Sequence, residues 1–228
     1  MSAYGAIAAP KQLGELPILA FPLSTPELAL VTYPVTGAEA PEELLKYLYS
    51  IFSDELDEGI TYPQEGPLTY EQFVAYFFAA TTIVGVIQPV DSEGRAETSG
   101  GLEGARAGRT WEESAGGCYY IKPNYPGRSS HVSLDTGNNG GFIVPRNHRG
   151  KKLGQALAKS FLEYAPRLGY RGSVFNLVYT TNGASLALWS KLGFTKIGVI
   201  PQAGRLKTGP NGTEQYVDAA VIHKSFVS

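Results

Sequence analysis

The chain has 228 residues, 43% of them hydrophobic and 18% charged, enough to bury a substantial core within one globular domain. A net charge of -2 excludes a general electrostatic pull towards nucleic acid or anionic membrane, so neither is an expected partner. Cys118 is the only cysteine, which excludes an internal disulfide and a multi-thiolate zinc site. No metal is expected, and Cys118, followed by Tyr119 and Tyr120, reads as a buried strand residue rather than a nucleophile.

The start of the chain lacks a basic stretch leading into an apolar one, and the most apolar segment, 73–87, is too short to cross a bilayer. A cytoplasmic location is therefore expected, with residues 1–228 forming one domain and residues 1–25 an arm. Residues 28–33 read as a first strand and 41–52 as a helix, with Glu42 and Glu43 in its first turn and Leu44, Leu45, Leu48 and Ile51 on its apolar side. An acidic connection containing Asp54, Glu55, Asp57 and Glu58 leads to a second helix over 70–79 and a strand over 81–88. Residues 91–117 carry much Gly, Glu, Ala and Ser and few large apolar groups, which predicts a mobile loop.

Strand signals return at 117–122 and 141–144, the latter after Asn138-Asn139-Gly140, which is also a plain turn signal. The spacing of Leu153, Leu157, Phe161 and Tyr164 predicts a long helix over 150–168, closed by Pro166 and Gly169. A strand over 173–180, a helix over 182–192, and strands over 194–200 and 215–226 follow, with Pro210-Asn211-Gly212 as the turn between the last two. This alternation indicates an α/β or α+β sheet with helices on both faces.

The run Arg149-Gly150-Lys151-Lys152-Leu153-Gly154 opens the long helix with basic side chains, where the partial positive charge of a helix N-terminus favours anions instead. With Arg146 and His148 beside it, the turn suits a phosphate or pyrophosphate shared between backbone N–H groups and side chains. Taken by themselves, the same residues also fit a solvated basic turn. Asn176 lies in an otherwise apolar strand, on the predicted face of Val174 and Val178, and a buried amide needs partners. The residues leave open whether it serves a site or bridges strands.

The order of elements and two motifs resemble the GNAT superfamily of acyl-coenzyme A dependent N-acetyltransferases. Arg149 and Gly154 fall on the first and last positions of its Gln/Arg-x-x-Gly-x-Gly/Ala loop, and Lys152 replaces the middle glycine. Asn182, Ser185, Trp189, Gly193 and Phe194 fall on its downstream Asn-x-x-Ala-x-x-x-Tyr-x-x-x-Gly-Phe pattern, with Ser185 in place of the alanine and Trp189 in place of the tyrosine. The chain is most similar to the fungal L-azetidine-2-carboxylate N-acetyltransferases, through Thr61-Tyr62-Pro63-Gln64, Tyr120-Ile121-Lys122-Pro123-Asn124-Tyr125, Tyr164-Ala165-Pro166 and Phe175-Asn176-Leu177-Val178.

The resemblance implies one GNAT-like domain, a mixed and mostly antiparallel sheet with splayed central strands, acetyl-coenzyme A as cosubstrate and a homodimer. It implies that Phe142, Ile143 and Val144 offer backbone groups to the pantetheine arm and the thioester oxygen. Arg149, Gly150, Lys151, Lys152, Leu153 and Gly154 would take the pyrophosphate, and Asn182 would add a coenzyme A contact to its ordinary role as a helix cap. Asn139 and Asn176 would hold a small cyclic imino acid and a water that relays its proton. His131 and Asp135 stand as outside candidates for the base. Phe73, Tyr76, Phe77 and Phe78 read mostly as core, with one or two walling an acceptor pocket. Two other readings stay open: a polyamine, other amino acid or protein amine as acceptor, drawn by the acidic connection, and a coenzyme A-binding protein without turnover, motivated by Lys152 and Trp189.

Overall fold

The computed structural model describes residues 7–135 and 141–227. Eight strands form a sheet in the order β1-β2-β3-β4-β5-β6-β8-β7: β1 Leu19–Pro22, β2 Leu28–Val35, β3 Thr81–Pro89, β4 Ala115–Pro123, β5 Val132–Asp135, β6 Gly172–Tyr179, β7 Thr195–Leu206 and β8 Gln215–Ser225. The β5–β6 pair is parallel, and the other pairings are antiparallel. The expected single α/β domain with a mixed, mostly antiparallel sheet is the observed one. No helix among the described residues is long and apolar enough to cross a membrane.

On one face lie α1 Glu42–Glu58 and α2 Tyr70–Phe77. The first buries Leu44, Leu45, Leu48, Ile51 and Phe52, then ends on Gly59 in the left-handed conformation that a residue without Cβ adopts freely. The second starts in a reciprocal cap between Thr69 and Gln72. Phe52, Phe73, Phe77 and Tyr120 pack ring against ring here, each fully buried ring adding roughly 2–3 kcal/mol. The other face carries α5 Leu153–Arg167 and α6 Gly183–Lys191, whose core includes Leu157, Phe161, Phe175, Trp189 and Phe194. Alternation along β4 serves both layers, sending Cys118 and Tyr120 towards α1 and α2 and Tyr119 and Ile121 towards α5.

Three expectations need correction. Residues 91–117 contain α3 Gly101–Arg106 and α4 Trp111–Ser114, with Leu102, Ala105 and Trp111 buried in the core. The few apolar groups suffice because each is anchored, and Thr110 and Glu113 cap α4 reciprocally. The strand expected at 141–144 is reduced to a single bridge between Ile143 and Cys118, while β1 and β5 are additional short strands. Finally, β6 slips register between Phe175 and Val178, so Val178 joins Phe175 on the α5 and α6 side. Asn176 therefore does not share a regular face with Val178; it sits in an irregular stretch of strand that turns its amide elsewhere.

Candidate active site

The central strands part at a defined point. Pairing between β5 and β6 runs from Val132 with Gly172 to Asp135 with Phe175. Further along, Ile143 exchanges both backbone hydrogen bonds with Cys118 of β4, at 2.9 and 3.0 Å, while Val178 and Tyr179 of β6 pair with β8. Gly117 makes the close approach feasible, since a Cβ there would overlap the Ile143 carbonyl and its φ is 130°. With Ile143 committed to β4, strand alternation turns the backbone N–H groups of Phe142 and Val144 away from β4, towards the gap. The Phe142 carbonyl accepts a hydrogen bond from Tyr62, at 3.3 Å, so the α1–α2 connection is fastened to the same segment.

Asn176 lies just beyond the last β5–β6 pair, and its amide donates to Asn124 Oδ1 at 3.2 Å. Asn124 is buried and its own Nδ2 has no partner among the described residues. Sequence reasoning singled out Asn176 and missed Asn124, though the block Lys122-Pro123-Asn124 ends β4 beside it. Asn139 lies outside the described residues. His131 is exposed at the start of β5, bonded to the Arg128 carbonyl, and lies beside Arg171 rather than near Asn176. Asp135 is placed by its backbone alone, paired with Phe175.

At the start of α5 the basic side chains already have protein partners. Arg149 pairs with Glu55, Arg146 with Glu58, and Lys151 donates to His148 Nδ1 at 3.0 Å. His148 is buried and its Nε2 faces the Glu112 carbonyl at 2.8 Å, so Nε2 carries the ring proton and Nδ1 accepts. Burial, with the Lys151 charge adding to it, lowers its pKa against the opposing pull of the Glu112 carbonyl. The turn is therefore not simply a solvated basic turn, since α1 supplies it with two carboxylates. The pairing engages Glu55 and Glu58, two of the four carboxylates behind the polyamine reading, and leaves Asp54 and Asp57 without an ion pair among the described residues.

The helix start itself carries no side-chain cap. Gly150 has φ 82°, and Lys152, the N-cap of α5, has φ 64° and makes no side-chain cap, whereas α2 and α6 are capped by Thr69 and Asn182. Lys152 thus adopts the left-handed conformation natural to the glycine it replaces. Leu153 is buried in the core and Gly154 faces Val144 with room for a methyl group. Asn182 accepts from Ser185 N–H at 3.0 Å and so caps α6. Trp189 is enclosed by Phe142, Phe161, Phe175 and Phe194 at ring separations of 4.6 to 6.1 Å, which makes it a packing residue. Cys118 is wholly buried and its thiol pKa is pushed up, which suits a structural role.

Comparisons agree with this geometry. The acetyltransferase (GNAT) family model matches residues 45–194. The N-acetyltransferase aca1 of Schizosaccharomyces pombe is 43% identical over 193 residues, 85% of either chain. Protein SPT10 of Saccharomyces cerevisiae is 30% identical over 212 residues, 82% of this chain and 32% of its own length. A GCN5-related N-acetyltransferase from Kribbella flavida superposes with TM-score 0.62 at 26% identity, covering 85% of this chain and 97% of that one. A phosphinothricin acetyltransferase from Sinorhizobium meliloti, solved in complex with acetyl-coenzyme A, gives TM-score 0.60 at 15% identity over 87% and 89% of the two chains, a likeness of fold.

Proposed function

The chain belongs to the GNAT family of acetyltransferases and is an N-acetyltransferase, and from that premise we propose that it moves the acetyl group of acetyl-coenzyme A to the secondary amine of a small cyclic imino acid. L-Azetidine-2-carboxylate and cis-4-hydroxyproline are the acceptors of choice. The observation that carries this reading is the gap beyond the last β5–β6 pair, with Asn176 on one side and, on the other, the segment of Phe142 and Val144, of which only Ile143 pairs with β4.

Bound acetyl-coenzyme A supplies an acyl group activated as a thioester. The uncapped N–H groups at Lys152 to Gly154 would hold its pyrophosphate, with Arg149 and Lys151 beside them and Asn182 adding a contact. The N–H groups of Phe142 and Val144 would receive the pantetheine arm and the oxygen on which charge develops.

On the acceptor side, an imino acid with an amine pKa near ~10 must lose a proton before it attacks. Asn176, with Asn139, would hold acceptor and water so that the water takes that proton. Where the resemblance places a thiolate-protonating tyrosine, Trp189 is locked in the core. The chain offers no acid there, and a thiol of pKa ~8.5 departs acceptably as its anion near neutral pH.

Tyr76 is the α2 aromatic that faces this side, since Phe73 and Phe77 are fully buried while the Tyr76 hydroxyl meets Tyr120 at 2.7 Å and Gln64 at 2.7 Å. Exposed Ile197, Val199 and Ile200 on the edge strand β7 support the homodimer reading. The test of function is release of free coenzyme A, with product mass, across proline analogues, spermidine and a peptide amine. Acetylation of the ring acids above the others is expected; turnover of spermidine or peptide alone overturns the assignment.

A further inference from the structure

Lys122 is a cation that no carboxylate balances among the described residues. It stands near the end of β4, on the α1 and α2 side, with its Nζ 3.9 Å from the Tyr120 ring centre and 4.2 Å from that of Tyr76. One of its three N–H groups donates to the Tyr76 carbonyl at 3.1 Å. Among the described residues no carboxylate pairs with it, and burial alone pulls its pKa down, to about 8. A half-buried ammonium with no carboxylate partner among the described residues is costly, and such groups concentrate at functional sites.

Its surroundings give the cost a purpose. Tyr76 and Tyr120 are themselves fixed: the Gln64 amide donates to the Tyr76 oxygen, and the two hydroxyls meet. Gly141 packs directly on the Tyr120 ring, where a Cβ would collide. Two residues on from Lys122, just past the end of β4, Asn124 accepts from Asn176 and its own amide N–H groups have no acceptor among the described residues. The end of β4 thus brings a positive charge and, two residues on, a donor that touches Asn176, neither with a balancing partner among the described residues. Two aromatic faces suit a cation that stays charged, so the group is a fixed charge rather than a proton acceptor.

We propose that Lys122 is the anchor for the carboxylate of the acceptor, and that Asn124 supplies a second hydrogen bond to the same group. The inference rests on the imino-acid reading and deepens it, naming what selects an amino acid-like amine over a diamine or polyamine. A carboxylate neutralises the half-buried ammonium, sets the ring against the Tyr76–Tyr120 pair, and leaves the secondary amine to Asn176. A polyamine brings a second positive charge to a site that already has an unbalanced one.

The test compares L-azetidine-2-carboxylate with L-azetidine-2-carboxamide, identical rings with and without the negative charge, in the wild type and in Lys122→Met. The wild type is expected to prefer the acid. In Lys122→Met, kcat/KM for the acid should fall about 30-fold, mostly through KM, as for a charged hydrogen-bond partner, with the amide changed less than about threefold. Lys122→Arg should restore part of the acid preference. Equal loss on acid and amide, or no loss on the acid, overturns the proposal. A wild type that acetylates neither ring compound overturns the imino-acid reading and this inference together, whereas an active wild type whose acid preference survives the methionine overturns the inference alone. Lys122→Gln gives the same contrast should the methionine destabilise the sheet.

Discussion

Arg149, at the first turn before α5, is ion-paired with Glu55 in the last turns of α1, 94 residues earlier in the chain. Glu55 is buried and also accepts from Thr61 at 3.1 Å, so one carboxylate joins the basic turn to the α1–α2 connection. A pyrophosphate at the turn would compete with Glu55 for the same guanidinium.

Glu55→Gln should therefore free Arg149 and tighten coenzyme A binding about three- to tenfold, a change of roughly 1 kcal/mol. Titration calorimetry with coenzyme A measures it. Unchanged or weaker binding would show that Glu55 orients Arg149 rather than competing for it.

Lys152 has φ 64°, where an L side chain is strained and glycine is not. Lys152→Gly should be more stable than Lys152→Ala by about 1 kcal/mol, read from urea midpoints at constant slope. A glycine variant no more stable than the alanine variant would mean that the turn relaxes in solution.

Asn176→Ala should lower kcat by roughly 10² to 10³ and leave coenzyme A affinity within about twofold, as removal of a positioned hydrogen-bond donor does. Asn124→Ala, which releases the Asn176 amide from its 3.2 Å partner, should cost about tenfold in kcat. Retained turnover in Asn176→Ala discards its role at the reacting centre.

The Lys122 charge also gives stability a pH signature. Its pKa is about 8 when folded against ~10.4 when unfolded, so burial penalises the folded state fully below about pH 8, and the penalty lifts as pH rises towards 10.4. Between pH 8 and 10 the wild type should gain up to about 2 kcal/mol relative to Lys122→Met. Denaturant unfolding of both proteins across that range checks the sign; a constant difference would place the ammonium in water.

Much of the scaffold is legible locally. The three- and four-residue spacing of Leu153, Leu157, Phe161 and Tyr164 marks α5, and all four are buried. The misread stretch around α3 and α4 carried its own signal, because Thr110 followed three residues later by Glu113 is a capping pair before the buried Trp111 finds its place. Composition alone concealed it. The slip in β6 had no such signal, since strand alternation predicts faces only while the ladder stays regular.

What the sequence determined by itself is what depends on neighbours within a few residues: helix periods, caps, the basic turn before α5 and the amide in an apolar strand. What only the tertiary structure decided is who meets whom across the sheet. Arg149 finds Glu55, Asn176 finds Asn124, and Lys122 finds Tyr76, and in each case the partners come from segments far apart in the chain. Their meeting depends on the order of strands and on where β5 and β6 part, and both are set by non-local pairing that no local pattern encodes.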